Sequence, residues 1–315
     1  MRILLLLVAL AALAAGGWWW FGHTPQSENP FTPSAPEAQP APALPAAAQQ
    51  ALAEADALWQ QAGPQPTTAP RAPRIARLYS EALRALYDIP GQHDREERLL
   101  RERLAPLAQA LFFSPTRWTE DESGLMAVHT VSAGQTPDGI ARHYGMSQEF
   151  LNRLRGKPPT ASDLRVGETL KVVRVRDCGG YHIDIDLSDF TLDLFIGGVF
   201  AKRYIIAHGA KETPTPTGET RLVNRVWHPQ WTHPTKKTVF EYGHPENILG
   251  PVWLPFDAEL LGASGIGIHG YTGADAQLRA QVSNGCIRMQ NQDVEELYQL
   301  LAHPQRTPTT VRIRP

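Results

Sequence analysis

The chain has 315 residues, 42% of them hydrophobic and 20% charged, with a formal net charge of -2. That length is enough for two or three domains with real cores. The charge balance excludes a nucleic-acid partner, because the phosphate backbone is held by a clustered basic surface.

The N-terminus opens with Met1-Arg2 and an apolar run from Ile3 to Phe21, 19 residues in all. This is close to the ~20 residues that span a bilayer, and Trp18, Trp19 and Trp20 fit the outer interface. Residues 1–22 therefore read as an export element, best taken as an uncleaved signal anchor. A cleaved signal peptide ending among the small residues of Ala11 to Gly17 is the alternative. No cysteine stands between positions 16 and 20, which excludes a lipid attached there. Residues 23–46, crowded with Pro, Ala, Ser and Thr, bury too little apolar surface to fold and read as an extended tether.

Residues 47–118 carry helical periodicity. Leu52, Ala55 and Leu58 mark a helix over Ala47 to Gln60, and Ile75, Leu78, Ala82 and Leu86 mark one over Arg74 to Leu86. A third, Glu96 to Phe112, has a leucine stripe that Pro106 should kink. The arrangement is loosely similar to one tetratricopeptide unit. A single unit buries its own face poorly, so it should pack on the next domain or present a partner surface.

Over residues 127–174, Val128 to Val131 predicts a strand, and Thr136 with Pro137 predicts the cap and first turn of a helix that Gly145 ends. Ser147 caps a second helix to Leu154, and Val166 to Val172 returns as a strand. This β-α-α-β order resembles the LysM domain, which implies binding to the glycan strands of peptidoglycan. The usual Asp-Thr-Leu of that module is here Gln135-Thr136-Pro137.

Residues 180–315 begin with period-two alternation. Ile183, Ile185 and Leu187 oppose Asp184, Asp186 and Ser188, and Leu192, Leu194 and Ile196 oppose Asp193 and Phe195, the mark of half-buried hairpin strands. Further strands are predicted at Tyr204 to Ala207, Arg221 to Trp227, Gly250 to Leu254, Gly265 to His269 and Thr310 to Ile313. One helix, Asp293 to Leu301, has Asp293 and Glu296 spaced for a capping box. Within this region His269 precedes Cys286 by 17 positions, in Ile268-His269-Gly270 and Ser283-Asn284-Gly285-Cys286-Ile287-Arg288. An imidazole paired with a thiol raises the reactive fraction of that thiol, as a cysteine nucleophile needs. Gly285 allows a sharp turn, and the amides of Gly285 and Cys286 are candidates for an oxyanion hole.

These residues resemble the signature of the YkuD-type L,D-transpeptidases. Thr213-Pro214-Thr215-Pro216-Thr217-Gly218 is similar to the family's Pro-Thr-Gly turn, and Asn247-Ile248-Leu249-Gly250 to its Asn-Pro-Leu-Gly segment. The resemblance implies a mainly-β sandwich and a peptidoglycan enzyme in the cell envelope. It would lie on the periplasmic side, held to the inner membrane by the N-terminal segment. It implies a cysteine acyl-enzyme on a donor stem peptide, resolved by an amine of a neighbouring stem into a 3-to-3 cross-link. Catalysis falls to Cys286 and His269, with Ser283 and Gly285. The family's third member is a backbone carbonyl of the cysteine loop, here that of Ser283. Arg288, Asn284, Gly270 and Tyr271 are candidate substrate contacts. The family often has histidine at the position of Asn284, and asparagine cannot titrate, so His269 carries the proton chemistry alone. The same chemistry leaves an L,D-carboxypeptidase or a protein-to-wall ligase as alternatives, and a weakly catalytic wall-binding scaffold is a further one.

No cofactor is implied, and no metal. His208, His228, His233, His244 and His269 lack the tight spacings of zinc hydrolases, and the Trp- and Pro-rich loop after Trp227 reads as a flap over the groove. A Cys178 to Cys286 disulfide would consume the nucleophile, so both cysteines are expected free.

Overall fold

The computed structural model describes residues 43–119, 121–233, 235–271 and 277–315. The predicted export element and nearly all of the tether lie outside the described residues, and chain order begins at Ala46. Helices α1 (Ala46–Gln61) and α2 (Ala72–Leu86) form an antiparallel pair, followed by α3 (His93–Leu99) and α4 (Ala105–Phe112). The interruption expected at Pro106 lies one turn earlier, as a π-helical turn over Leu100–Leu104. The proline ring clashes with the carbonyl four residues back, that of Glu102, so the distortion falls inside that turn.

Strand β1 (Met126–Thr130), helices α5 (Pro137–Tyr144) and α6 (Gln148–Leu154) and strand β2 (Thr169–Val173) follow, with β1 and β2 antiparallel. Thr136 Oγ1 accepts from Gly139 N at 3.1 Å and Ser147 Oγ from Phe150 N at 2.9 Å, the caps expected from the sequence. Gly145 closes α5 at φ 77°. This unit is tied on both sides. Lys171 Nζ donates to Ala110 O and Ser114 O at the end of α4, at 2.8 and 2.9 Å. Arg225 Nη2 reaches Glu149 of α6 at 2.7 Å.

The remaining strands are β3 (Tyr181–Asp186), β4 (Thr191–Ile196), β5 (Val199–Gly209), β6 (Gly218–Arg221), β7 (Val226–Trp227), β8 (Trp231–Thr232), β9 (Val239–Phe240) and β10 (Val252–Pro255). Helix α7 (Ala258–Leu261), strands β11 (Gly267–His269), β12 (Gln281–Ser283) and β13 (Ile287–Met289), helix α8 (Asn291–Leu300) and strand β14 (Thr309–Arg314) complete the chain. The expected sandwich is instead one curled, ten-stranded sheet in the order β6-β14-β3-β4-β5-β13-β11-β10-β7, with β12 on β5. The Trp- and Pro-rich loop holds the separate hairpin β8-β9. The capping box expected from Asp293 and Glu296 is not made. The helix starts two residues earlier, and Glu296 instead takes Lys202, Arg153 and the Tyr204 hydroxyl.

A second correction concerns the polar face of the first hairpin. The alternation marks half-buried strands, yet Asp184, Asp186 and Asp193 on their polar face are all buried. The helical segment covers them and encloses the countercharges that the sheet supplies. Arg203 Nε and Nη2 bind Asp193 at 2.7 and 2.6 Å, Nη2 also reaches Glu96 at 2.6 Å, and the Tyr87 hydroxyl donates to Asp193. Arg314 bridges Asp184 and Asp186 at 2.7 and 2.9 Å and donates to Tyr87 O. Period-two patterning reports that one face is polar and is silent about what lies on it.

Removing one member of such a buried network strands the others without countercharge. Arg203→Met should cost about 3–5 kcal/mol, read as a lowered denaturant midpoint at constant slope.

Candidate active site

The site is built on two neighbouring strands. β11 and β13 run parallel, with Ile268 opposite Ile287 and His269 opposite Arg288. Ile268 and Ile287 are buried in the core, so by alternation His269, Arg288 and the residue before Ile287, Cys286, share the other face. On the far side of β11, Trp253 of β10 is opposite His269, with ring centroids 6.0 Å apart. Gly267 makes room for that indole. A Cβ there would meet the Trp253 ring at 2.7 Å.

The loop that presents Cys286 is locked from two directions. Ser283 Oγ donates to Cys286 O at 2.6 Å and accepts from Gly285 N at 3.2 Å. Thr215 of the Thr-Pro-Thr-Pro turn donates to Gly285 O and accepts from Gly209 N, both at 2.9 Å. Thr213 Oγ1 donates to Ser283 O at 3.0 Å. Gly285 has φ 99°, a left-handed backbone that favours glycine, and a Cβ there would press on Ile266 Cδ1 at 2.9 Å. Sequence reading placed this turn as a landmark and missed its work as a clamp on the cysteine loop.

His269 is buried, and its Nδ1 lies 2.5 Å from Gly270 O. A carbonyl only accepts, so Nδ1 carries the proton and the neutral ring presents Nε2 as a base. The orienting carbonyl is thus that of Gly270, not the expected one of Ser283, whose oxygen is engaged by Ala210 N and Thr213 Oγ1. Burial, reinforced by the Arg288 charge, lowers the imidazole to about 4. Burial pushes the Cys286 thiol up, against the pull of Gly267 and Arg288. The thiol rests 3.5 Å from Gly265 O, to which it donates. A neutral imidazole and a neutral thiol are therefore the resting pair, rather than a preformed ion pair.

The candidate substrate contacts fall around this pair. The Arg288 guanidinium lies 4.8 Å over the Tyr271 ring, and its buried Nε has no partner among the described residues. Asn284 is exposed on the cysteine loop. Gly270 packs against Pro251 and the Asn291 side chain, and Tyr271 N donates to Asn291 Oδ1 at 2.8 Å. Asn291 went unnoticed in the sequence because it falls just before the apolar periodicity of α8. The other histidines lie elsewhere. His208 stacks on Phe190, and His228 is stacked between Trp227 and Tyr242. Cys178 and Cys286 are both free thiols.

Residues 180–313 match the family profile described as the L,D-transpeptidase catalytic domain, YkuD. The chain is 32% identical over 183 residues to YkuD of Bacillus subtilis (strain 168), named as an inferred L,D-transpeptidase, covering 58% of this chain and 97% of that protein. Among solved structures it is similar to the catalytic domain of the E. faecium L,D-transpeptidase, at 23% identity over 43% of this chain and 98% of that one, TM-score 0.32. It is also similar to an L,D-transpeptidase from Mycobacterium smegmatis at 14% identity and TM-score 0.35, where it spans 43% of this chain and 59% of that one.

Two outcomes follow from this geometry. Thr215→Val leaves Gly209 N–H and Gly285 C=O buried and unpaired, which should cost about 1–3 kcal/mol in chemical unfolding. An unfolded histidine titrates near 6.5, whereas folded His269 does so at about 4. Between those pH values the unfolded chain binds a proton that the folded chain refuses. Stability should therefore fall as pH drops through this window, by about 3 kcal/mol at its lower end. Denaturant unfolding at pH 7 and pH 4 checks this, and His269→Gln should lose that part of the acid sensitivity.

Proposed function

We propose that this chain, which belongs to the YkuD family of L,D-transpeptidases, joins peptidoglycan stem peptides 3-to-3 through a thioester on Cys286. The observation that carries the reading is the shared face of His269 on β11 and Cys286, the residue just before β13, with Nε2 left as the basic nitrogen by the bond from Nδ1 to Gly270 O.

In the first half-reaction Nε2 takes the thiol proton as sulfur attacks the carbonyl of the donor's diamino-acid residue. The C–N bond to the terminal D-Ala then breaks, and the departing amine receives the proton from His269. In the second, an amine of a neighbouring stem attacks the thioester, an amide forms, and the thiol is restored. Because both resting groups are neutral, proton transfer accompanies attack. The oxyanion falls to Cys286 N–H, which makes no backbone hydrogen bond to a described residue, whereas Gly285 N–H is held by Ser283 Oγ. The Arg288 guanidinium, whose Nε has no partner among the described residues, supports a role in binding a substrate carboxylate. Asn284, next to the turn and unable to titrate, is a hydrogen-bond donor to substrate.

We assign residues 127–174 as a LysM-type glycan-binding module. Its β-α-α-β order supports this. The apolar segment 1–22 and the tether would hold the enzyme to the inner membrane on the periplasmic side.

Incubation of the protein with muropeptides, read by mass spectrometry, tests the reading: cross-linked dimers support it. Shortened stems would instead indicate an L,D-carboxypeptidase, attachment to an added lipoprotein a ligase, and unchanged substrate a wall-binding scaffold. Cys286→Ala should abolish dimers and the mass adduct formed with a carbapenem while leaving glycan binding intact. Asn284→His should alter the pH profile more than the maximal rate. A gain of orders of magnitude from a negligible starting level would mark the natural chain as the scaffold.

A further inference from the structure

The peptide unit between Gly270 and Tyr271 is hydrogen-bonded at both ends. Its carbonyl faces His269 Nδ1 at 2.5 Å, and its N–H donates to Asn291 Oδ1 at 2.8 Å. The carboxamide enters a notch that only glycine permits. A Cβ on Gly270 would lie 2.4 Å from Asn291 Oδ1, and one on Gly250 would lie 2.7 Å from it. Asn291 is the first residue of α8, whose N-cap, Gln290, makes no side-chain cap. Its carboxamide oxygen is thus directed at the peptide that orients the imidazole rather than at its own helix.

We propose that Asn291 is a positioning residue for His269, acting through the Gly270–Tyr271 peptide, an inference that rests on the acyl-transfer reading of the site. Two physical effects operate. The bond to Asn291 fixes the plane of that peptide, so its carbonyl meets Nδ1 and holds Nε2 toward the cysteine loop. It also polarises the amide, because a hydrogen bond given at N–H makes the carbonyl a better acceptor. The better acceptor stabilises the imidazolium that forms when the thiol proton arrives. The charged and titratable groups facing the ring are Arg288 on β13 and Cys286 on the loop before it, and β10 contributes the uncharged Trp253. None of these supplies the compensating negative charge. The acceptors that favour the imidazolium are the backbone carbonyls of Gly270 and Leu249, and of these the Gly270 carbonyl belongs to the peptide that Asn291 polarises.

The test uses the full-length chain and its Asn291→Ala and Asn291→Asp variants, with two readouts. One is the rate of Cys286 acylation by a carbapenem between pH 4 and 8, followed by intact-protein mass. The other is the titration and tautomer of His269 by nitrogen NMR of the imidazole. Asn291→Ala should slow acylation about tenfold, the value of one net hydrogen bond, and move the acid limb and the His269 titration to lower pH. Asn291→Asp, which keeps the acceptor and adds charge, should restore the rate and move both to higher pH. Unchanged rate and titration in the alanine variant would overturn the proposal. Equal slowing in both variants with an unmoved His269 titration would also overturn it, because that pattern belongs to a helix start and nothing more. A wild-type protein inert to the carbapenem would sink the acyl-transfer reading. The NMR titrations alone would then decide the role of Asn291.

Discussion

The parallel pairing of β11 with β13 is the constraint from which the site follows. Two strands side by side in the same direction carry matched residues to the same face at the same height. With Ile268 opposite Ile287 in the core, the register admits only one outcome for their neighbours. A slip of one residue would send His269 into the core and Ile268 to the surface. The apolar pair therefore fixes the polar one, and packing energy maintains a spacing that neither His269 nor Cys286 enforces by direct contact.

β5 transmits order from one end of the molecule to the other. Its first half lies beneath the helical segment, where Phe200 N donates to Ser80 Oγ at 2.9 Å and Arg203 gathers the buried carboxylates. Its last residue, Gly209, is gripped by Thr215, which also holds the cysteine loop. In between, Ala207 is opposite Arg288. The strand is thus held at both ends by groups far apart in sequence, and the loop with the thiol is clamped to it through Thr215.

Much of this was legible in the chain, and the reasons are local. Thr136 and Ser147 announce helix starts because capping is a contact between residues three apart. His269 and Cys286 stand out because few residue types perform nucleophilic chemistry. The illegible parts are those in which the partner is backbone or remote. Gly270's carbonyl belongs to no residue type, so the chain offers no letter that names it, and the expectation fell on Ser283 instead. β12 and β13 are three residues each, too short for a period to register. The burial of Asp184, Asp186 and Asp193 is illegible because alternation cannot reveal a helical lid contributed from a hundred residues upstream.

That lid separates two notions of a domain. By descent, the unit begins near Gly180, where the family match starts. By burial, it begins at the end of α2, since Tyr87, the residue after that helix, and Glu96 of α3 complete the buried network around Asp193 and Arg203. A fragment cut at the line of descent would present to solvent three carboxylates and the Phe195 ring that the intact chain encloses. Inheritance here has been more portable than stability: the catalytic module can be recognised alone, but in this chain it has come to lean on its neighbour.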